Sequence, residues 1–281
     1  MKQCVLTIQQ NTALTPTTYR MVLEGDVSQI TTPGQFINIR LEGHFLRRPI
    51  SVCDVSCDDN TGSGTVTIIY KVLGQGTQEM TCFRAGRELD VLTGLGNGYD
   101  LSCAGDSPVL IGGGVGIPPL YLAAKRLLSV GKSCDMRADE GSCVNKKTDV
   151  TVILGFNSAE EIYYEDEFRA LGCRVMIATA DGSRGTLGFV TDAFREICGS
   201  HAPDAEGRTE FTHFYTCGPE PMLKAVYETV YKEAGISGQM SFEERMGCGF
   251  GACMGCSCRT VTGYKRICRD GPVLRTEEIL W

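Results

Sequence analysis

The chain has 281 residues with a 42% hydrophobic and 22% charged share, which suits a globular protein of two domains and a small third unit and excludes disorder or coiled coil as the main architecture. Lys+Arg total 27 against 34 Asp+Glu, a net charge of -7, which argues against nucleic-acid binding, since that depends on cations neutralising phosphates. The most apolar stretch, 108–124, is broken by four glycines and three prolines, so no membrane span is expected.

The predicted elements fall into three segments. Residues 1–102 hold short β-rich runs at 4–9, 19–24, 35–41, 50–55, 65–72 and 88–92, separated by turn residues such as Pro33-Gly34 and the 60–64 and 94–98 clusters. Close spacing with turn signals predicts an antiparallel sandwich or small barrel, with one helix near 77–83. Residues 103–238 alternate strands (108–111, 149–154, 173–179, 211–216) with helices (118–128, 164–171, 189–197, 221–234), the pattern of a parallel sheet covered on both faces. A polar stretch at 134–148, carrying Cys134 and Cys143, reads as a surface insertion. Residues 239–281 contain five cysteines and six glycines with little periodicity, and are expected to need a staple rather than an apolar core.

There are 15 cysteines, and Met1 to Thr12 lacks a charged-then-apolar leader. Reduced thiols with a metal site, in the cytoplasm, are therefore expected rather than a disulfide scaffold. Cys248, Cys253 and Cys256 form C-x4-C-x2-C, and Cys268 follows after eleven intervening residues. That is the spacing of plant-type [2Fe–2S] ligands, and Gly249, Gly251 and Gly255 allow the backbone to wrap a cluster closely. Cys258 is the spare thiol. The competing reading is a structural zinc site, which prefers two short knuckles and fits the x4 gap poorly.

The loop Gly112-Gly113-Gly114-Val115-Gly116 follows a strand and opens a helix with two prolines. Glycines there let a backbone approach a pyrophosphate at the helix N-terminus; a plain tight turn is the bland alternative. Cys217-Gly218-Pro219 ends another strand at the same sheet edge, where open α/β sheets bind ligands. In the β segment, Arg48-Pro49-Ile50-Ser51, preceded by Arg47, can offer a guanidinium to a phosphate and a hydroxyl to a ring nitrogen, or be no more than surface arginines beside a strand.

Together these motifs resemble the ferredoxin–NADP reductase superfamily. Their order, ending in Glu244-Arg-Met-Gly-Cys-Gly-Phe-Gly-Ala-Cys253 and Cys268-Arg-Asp-Gly-Pro-Val273, is similar over nearly the whole chain to the electron-transfer subunits of type B dihydroorotate dehydrogenases. The resemblance implies an FAD-binding antiparallel β-barrel (1–102), a parallel-sheet α/β domain binding NAD (103–238) and a small [2Fe–2S] domain (239–281). It implies FAD on Arg48, Pro49, Ile50, Ser51, Ile69, Tyr70, Lys71, Gly76 and Thr77, and NAD at Gly112, Gly113, Gly114, Gly116, Cys217, Gly218 and Pro219. Cys248, Cys253, Cys256 and Cys268 would hold the cluster. No catalytic side chain is expected: His44, His201 and His213 share no spacing with a nucleophile or carboxylate, and Cys217 is read as a cofactor contact.

The family implies an oxidoreductase subunit of pyrimidine biosynthesis. An FMN-containing catalytic subunit oxidises dihydroorotate, and electrons pass through the cluster and FAD to NAD+, in a heterotetramer with two of each subunit. Glu160 and Glu161 without an Arg in 155–161 favour NAD over NADP. The alternatives are a subunit of another iron–sulfur flavoprotein, such as a ferredoxin:NAD(P)H oxidoreductase or hydrogenase, and a non-enzymatic redox sensor.

Overall fold

The computed structural model describes residues 1–58, 60–130, 148–200 and 210–281. Nearly all of the insertion expected at 134–148, with its two cysteines, and His201 lie outside the described residues. The chain forms two compact units, Met1–Tyr99 together with Met240–Trp281, and Asp100–Gln239.

Six strands close a barrel in the first unit: β1 (Lys2–Ala13), β2 (Thr18–Asp26), β3 (Phe36–Ile39), β4 (Arg48–Cys57), β5 (Ser63–Lys71) and β6 (Glu88–Leu95), in the order β1-β2-β5-β4-β3-β6. Every neighbouring pair is antiparallel, and β6 returns to β1 with Leu6 opposite Leu89. Closure leaves no unpaired edge. Residues two apart on a strand share a face, so Leu6 and Ile8, Met21 and Leu23, Ile37 and Ile39, and Val66 and Ile68 fill the interior, all fully buried. Each such side chain contributes roughly 1.5–3 kcal/mol by leaving water. Bulges interrupt β3 at Phe36/Asn38 and β4 at Val52/Asp54, flanking the stretch where the two strands carry Asn38 and Pro49 opposite one another.

The helix expected at 77–83 is α1 (Gln75–Met80). It starts earlier because Thr77 anchors its entry: the hydroxyl accepts from the backbone N–H of Leu73 (3.0 Å) and Gly74 (3.2 Å).

In the second unit β7 (Pro108–Gly113), β8 (Thr151–Phe156), β9 (Arg174–Thr179), β10 (Thr186–Leu187) and β11 (His213–Cys217) lie in the parallel order β10-β9-β8-β7-β11, followed by β12 (Gly238–Ser241). The helices α2 (Ile117–Val130), α3 (Glu165–Leu171), α4 (Val190–Ser200) and α5 (Glu220–Val226) follow individual strands. Val109 to Ile111 and Val152 to Leu154 are completely buried, as expected of strands covered on both faces. The last helix is not α-helical to 234: it continues past Val226 as a π-helical stretch, Tyr227–Glu233.

Beyond β12 the chain rejoins the barrel unit. It forms the hairpin β13 (Ser257–Thr260) and β14 (Gly263–Arg266), then β15 (Val273–Arg275). Ile267, Leu274 and Ile279 give it a small buried set that the sparse periodicity did not announce. Asn97, just after β6, ties it down. Its backbone N–H donates to Gly271 O (2.7 Å), its Nδ2 to Val273 O (2.7 Å), and its Oδ1 accepts from Val273 N (3.1 Å). Replacing Asn97 with Ala leaves the Val273 groups without their partner, at about 1–3 kcal/mol. The expected outcome is a lower melting temperature and faster amide exchange across 270–275, with protection in β7–β9 unchanged.

Candidate cofactor sites

The loop carrying the C-x4-C-x2-C cysteines, Cys248, Cys253 and Cys256, is shaped by backbone amides aimed at sulfur. Cys248 Sγ accepts from Ala252 N (3.2 Å) and Cys253 N (3.4 Å). Cys253 Sγ accepts from Cys248 N (3.4 Å) and Gly255 N (3.5 Å). Cys256 Sγ accepts from Cys268 N (3.4 Å). Turning that many N–H groups inward needs left-handed backbone, found at Gly249 (φ 78°), Gly251 (φ 91°) and Met254 (φ 62°). For Met254, a non-glycine residue, that conformation costs about 1 kcal/mol or more.

The electrostatics match. Burial opposes ionisation of Cys248, but N–H donors from Cys253, Phe250 and Ala252 outweigh it and bring the thiol down to about 6. Cys268 goes the other way: burial, and after it the Cys256 thiol, push it up to about 12. Ionising the buried Cys268 requires a positive centre nearby. Backbone N–H···S contacts link the four cysteines in two couples, Cys248 with Cys253 and Cys256 with Cys268. Two couples suit a two-iron cluster, with two cysteines per iron, better than one tetrahedral zinc. Cys258 sits apart from these couples on β13, opposite Lys265.

Arg266 locks the remote couple in place. Its guanidinium pairs with Asp270 (Nε–Oδ2 2.8 Å) and donates to Gly251 O (3.0 Å), joining the 268 segment to the cysteine loop. The Arg266 contact holds the Asp270 carboxyl down at about 2. Neither residue could be singled out by spacing.

This loop lies directly on the barrel. A Cβ on Gly249 would stand 2.2 Å from Asn38 Nδ2, so only glycine fits. Asn38 is 1% exposed, its Oδ1 has no hydrogen-bond partner, and it faces Pro49 across the β3–β4 pair. Arg48 to Ser51 therefore occupy the strand next to the one the cluster loop touches. The two arginines separate: Arg47 grips Asp90 with two 3.0 Å bonds and joins β6 to the β3–β4 loop, whereas Arg48 lies against Gly76, whose added Cβ would come within 2.5 Å of Nε. Ile69 and Tyr70 on β5 are buried, and the Tyr70 hydroxyl donates to Asn11 Oδ1 (3.1 Å). Lys71 lies opposite Thr18, and the Thr77 hydroxyl is engaged within its own turn.

In the second unit the glycine loop is a close-approach device. Gly112 pairs in register with Cys217, and a Cβ on Gly116 would lie 2.2 Å from Cys217 O, on Gly113 2.5 Å from Met222 Sδ. The sheet edge thus brings together Gly112, Gly113, Gly114, Gly116, Cys217, Gly218 and Pro219. Two further loops join this edge unannounced. Ser183 Oγ accepts from Ala159 N (2.7 Å) and donates to Asp181 Oδ1 (2.6 Å). One residue on is Arg184, so an arginine does stand beside the 155–161 loop, on a neighbouring turn that local sequence could not link to it. Its guanidinium is committed to the buried Glu165 (2.8 Å), which also pairs with Arg169 (2.8 Å).

Residues 243–280 match the iron–sulfur cluster binding domain of dihydroorotate dehydrogenase B, and 110–228 match the oxidoreductase NAD-binding domain. The chain is 40% identical to the dihydroorotate dehydrogenase B (NAD+) electron transfer subunit of Fusobacterium nucleatum subsp. nucleatum, covering 97% of this chain and 96% of that protein. This chain belongs to that family of electron transfer subunits. The corresponding subunit of Bacillus velezensis is 39% identical, with 99% of each chain covered. Among solved structures, that of an NADH-dependent reduced ferredoxin–NADP oxidoreductase aligns with a TM-score of 0.79 at 27% identity, over 99% of this chain and 90% of that one. A ferredoxin NADP+ reductase from Neisseria gonorrhoeae shares the fold at a TM-score of 0.63 and 18% identity, over 87% of this chain and 94% of that one. The barrel, the parallel-sheet α/β unit and the C-terminal iron–sulfur region expected from the sequence are thus all present.

The two cysteine couples make a specific expectation. Cys268→Ser removes a buried ligand and should abolish the cluster's EPR signal and loosen 247–271, because cluster binding is folding energy there. Cys258→Ser should retain about two irons per chain by elemental analysis. The opposite pattern would reassign the ligands.

Proposed function

We propose that this subunit takes electrons from a catalytic partner that oxidises dihydroorotate and delivers them to NAD+, serving pyrimidine synthesis. The carrying observation is the contact of Gly249 with Asn38. It sets the cysteine loop on β3, alongside the β4 strand that bears Arg48-Pro49-Ile50-Ser51. FAD, when bound, supplies the exchange between two-electron hydride chemistry and the one-electron chemistry of a [2Fe–2S] cluster. The protein's part is to hold, orient and shield these groups.

In this reading Arg48 holds the FAD pyrophosphate and Ser51 faces the ring, with Pro49, Ile50, Ile69, Tyr70, Lys71, Gly76 and Thr77 around the cofactor. Gly112 to Gly116 and Cys217 to Pro219 receive the nicotinamide nucleotide. Glu165, by occupying Arg184, withholds the cation a 2′-phosphate would need, which suits NAD. Cys248 and Cys253 hold one iron; Cys256 and Cys268 hold the other.

The two couples differ in exposure. Cys256 and Cys268 are 2% and 1% exposed, while Cys253 is exposed and the loop around it presents Phe250 and Met254 to solvent. The outer couple is the side on which the partner docks, since desolvated apolar groups form interface centres and electron transfer needs proximity. The partner carries FMN, and the assembly is a heterotetramer with two of each subunit. No disulfide joins the described cysteines, which suits the reducing cytoplasm.

The test is a reconstitution. With its catalytic partner the wild-type chain should reduce NAD+ on addition of dihydroorotate. In Cys268→Ser that activity should fall at least tenfold, while NADH oxidation with a dye that accepts from FAD largely survives. Persistence of partner-dependent NAD+ reduction in a verified cluster-free protein would refute the relay.

A further inference from the structure

The turn between β3 and β4 contains His44, which no motif claims. The structure links it to both ends of the proposed pyrophosphate grip. Arg48 Nη2 is 2.9 Å from His44 Nδ1, and His44 Nε2 is 3.0 Å from Glu79 Oε2 on α1. A guanidinium only donates, so Nδ1 must be the acceptor. The neutral ring then carries its proton on Nε2 and gives it to the Glu79 carboxylate. Each bond fixes the other: Glu79 selects the tautomer that leaves a lone pair for Arg48.

The remaining sides of Arg48 are also set. Nη1 donates to Leu46 O (2.5 Å), and Gly76 presses on the Nε edge, where a Cβ would come within 2.5 Å. Two of the five N–H groups are engaged and the Nε edge lies against Gly76, which leaves at most the two other Nη hydrogens for a ligand. A long, flexible cation is thus held in one orientation before any phosphate arrives, which lowers the ordering cost of binding. The His44 side chain is 15% exposed, so its contacts are partly shielded from water.

We propose that His44, oriented by Glu79, is a positioning residue that aims Arg48 at the FAD pyrophosphate. The inference rests on the assignment of Arg48 to that phosphate, and the test separates the two.

The probe is FAD, titrated into the deflavinated full-length protein and followed by flavin fluorescence. His44→Gln places its amide at the level of Nε2, so it can still reach Glu79 but offers no acceptor where Nδ1 stood. His44→Asn places an oxygen at the level of Nδ1 and keeps that acceptor. FAD affinity should fall about 3–10-fold in His44→Gln and stay within about twofold of wild type in His44→Asn, the loss of a modest hydrogen bond to a charged group. Arg48→Ala should lose about 10–100-fold. Adding His44→Gln to Arg48→Ala should cost nothing further, because the histidine acts only through the arginine. Glu79→Ala, which removes the carboxylate that selects the His44 tautomer, should weaken FAD in the same direction as His44→Gln.

Equal behaviour of the Asn and Gln variants, or a full His44→Gln loss in the Arg48→Ala background, would overturn the positioning role. Unchanged FAD affinity in Arg48→Ala would instead overturn the phosphate assignment beneath it. If His44→Gln fails to fold, a wild-type affinity in Glu79→Ala decides against the inference by itself.

Discussion

A missing side chain sets the geometry of the first unit. Gly249 has no Cβ, and the place one would occupy is filled by the amide of Asn38. Through that contact the cysteine loop rests on a barrel strand rather than standing free in solvent. The neighbouring strand carries the Arg-Pro-Ile-Ser motif, so the β3–β4 pair sets that motif beside the cysteine loop. Any larger residue at 249 would meet both this clash and a left-handed backbone at φ 78°. The unpartnered, buried Oδ1 of Asn38 indicates that the strand keeps a polar group here despite the cost of burying it.

The cysteine loop shows how a cofactor site can be written mostly in backbone. Five N–H···S contacts converge on three sulfurs, and their alignment depends on glycines rather than on specific side chains. Backbone N–H donors bring the Cys248 thiol down, whereas burial pushes the Cys268 thiol up. A positively charged metal centre would favour the thiolate at both positions, in keeping with the iron–sulfur cluster binding domain that residues 243–280 match. Arg266 and Asp270 then close the segment carrying Cys268 against the loop.

The second unit uses glycine differently. Gly116 is needed because strand ends crowd together: a Cβ there would meet the Cys217 backbone, since β7 and β11 are parallel neighbours and their loops leave the sheet at the same edge. The pair between Glu165, the first residue of α3, and Arg184, on the turn after β9, is a charge arrangement of the fold and not of a motif, and it engages an arginine that composition alone would count as a phosphate binder.

The sequence by itself determined the segment order, the β and β/α character of each part, the cysteine spacing and the glycine loops, because these signals are local: alternation, turn residues and ligand spacing act within a few residues of chain. Element ends were less legible, as at α1, where the Thr77 hydroxyl draws the helix start back to Gln75. Only the tertiary structure decided the division of labour between Arg47 and Arg48, adjacent in sequence but bonded to Asp90 and to His44 respectively. It alone coupled Asn38 to Gly249, Asn97 to Val273 and Ser183 to Ala159. The reason is physical. Each pairing joins residues brought close by strand register or loop packing, and a side chain's partner across such a gap leaves no trace in the neighbouring residues.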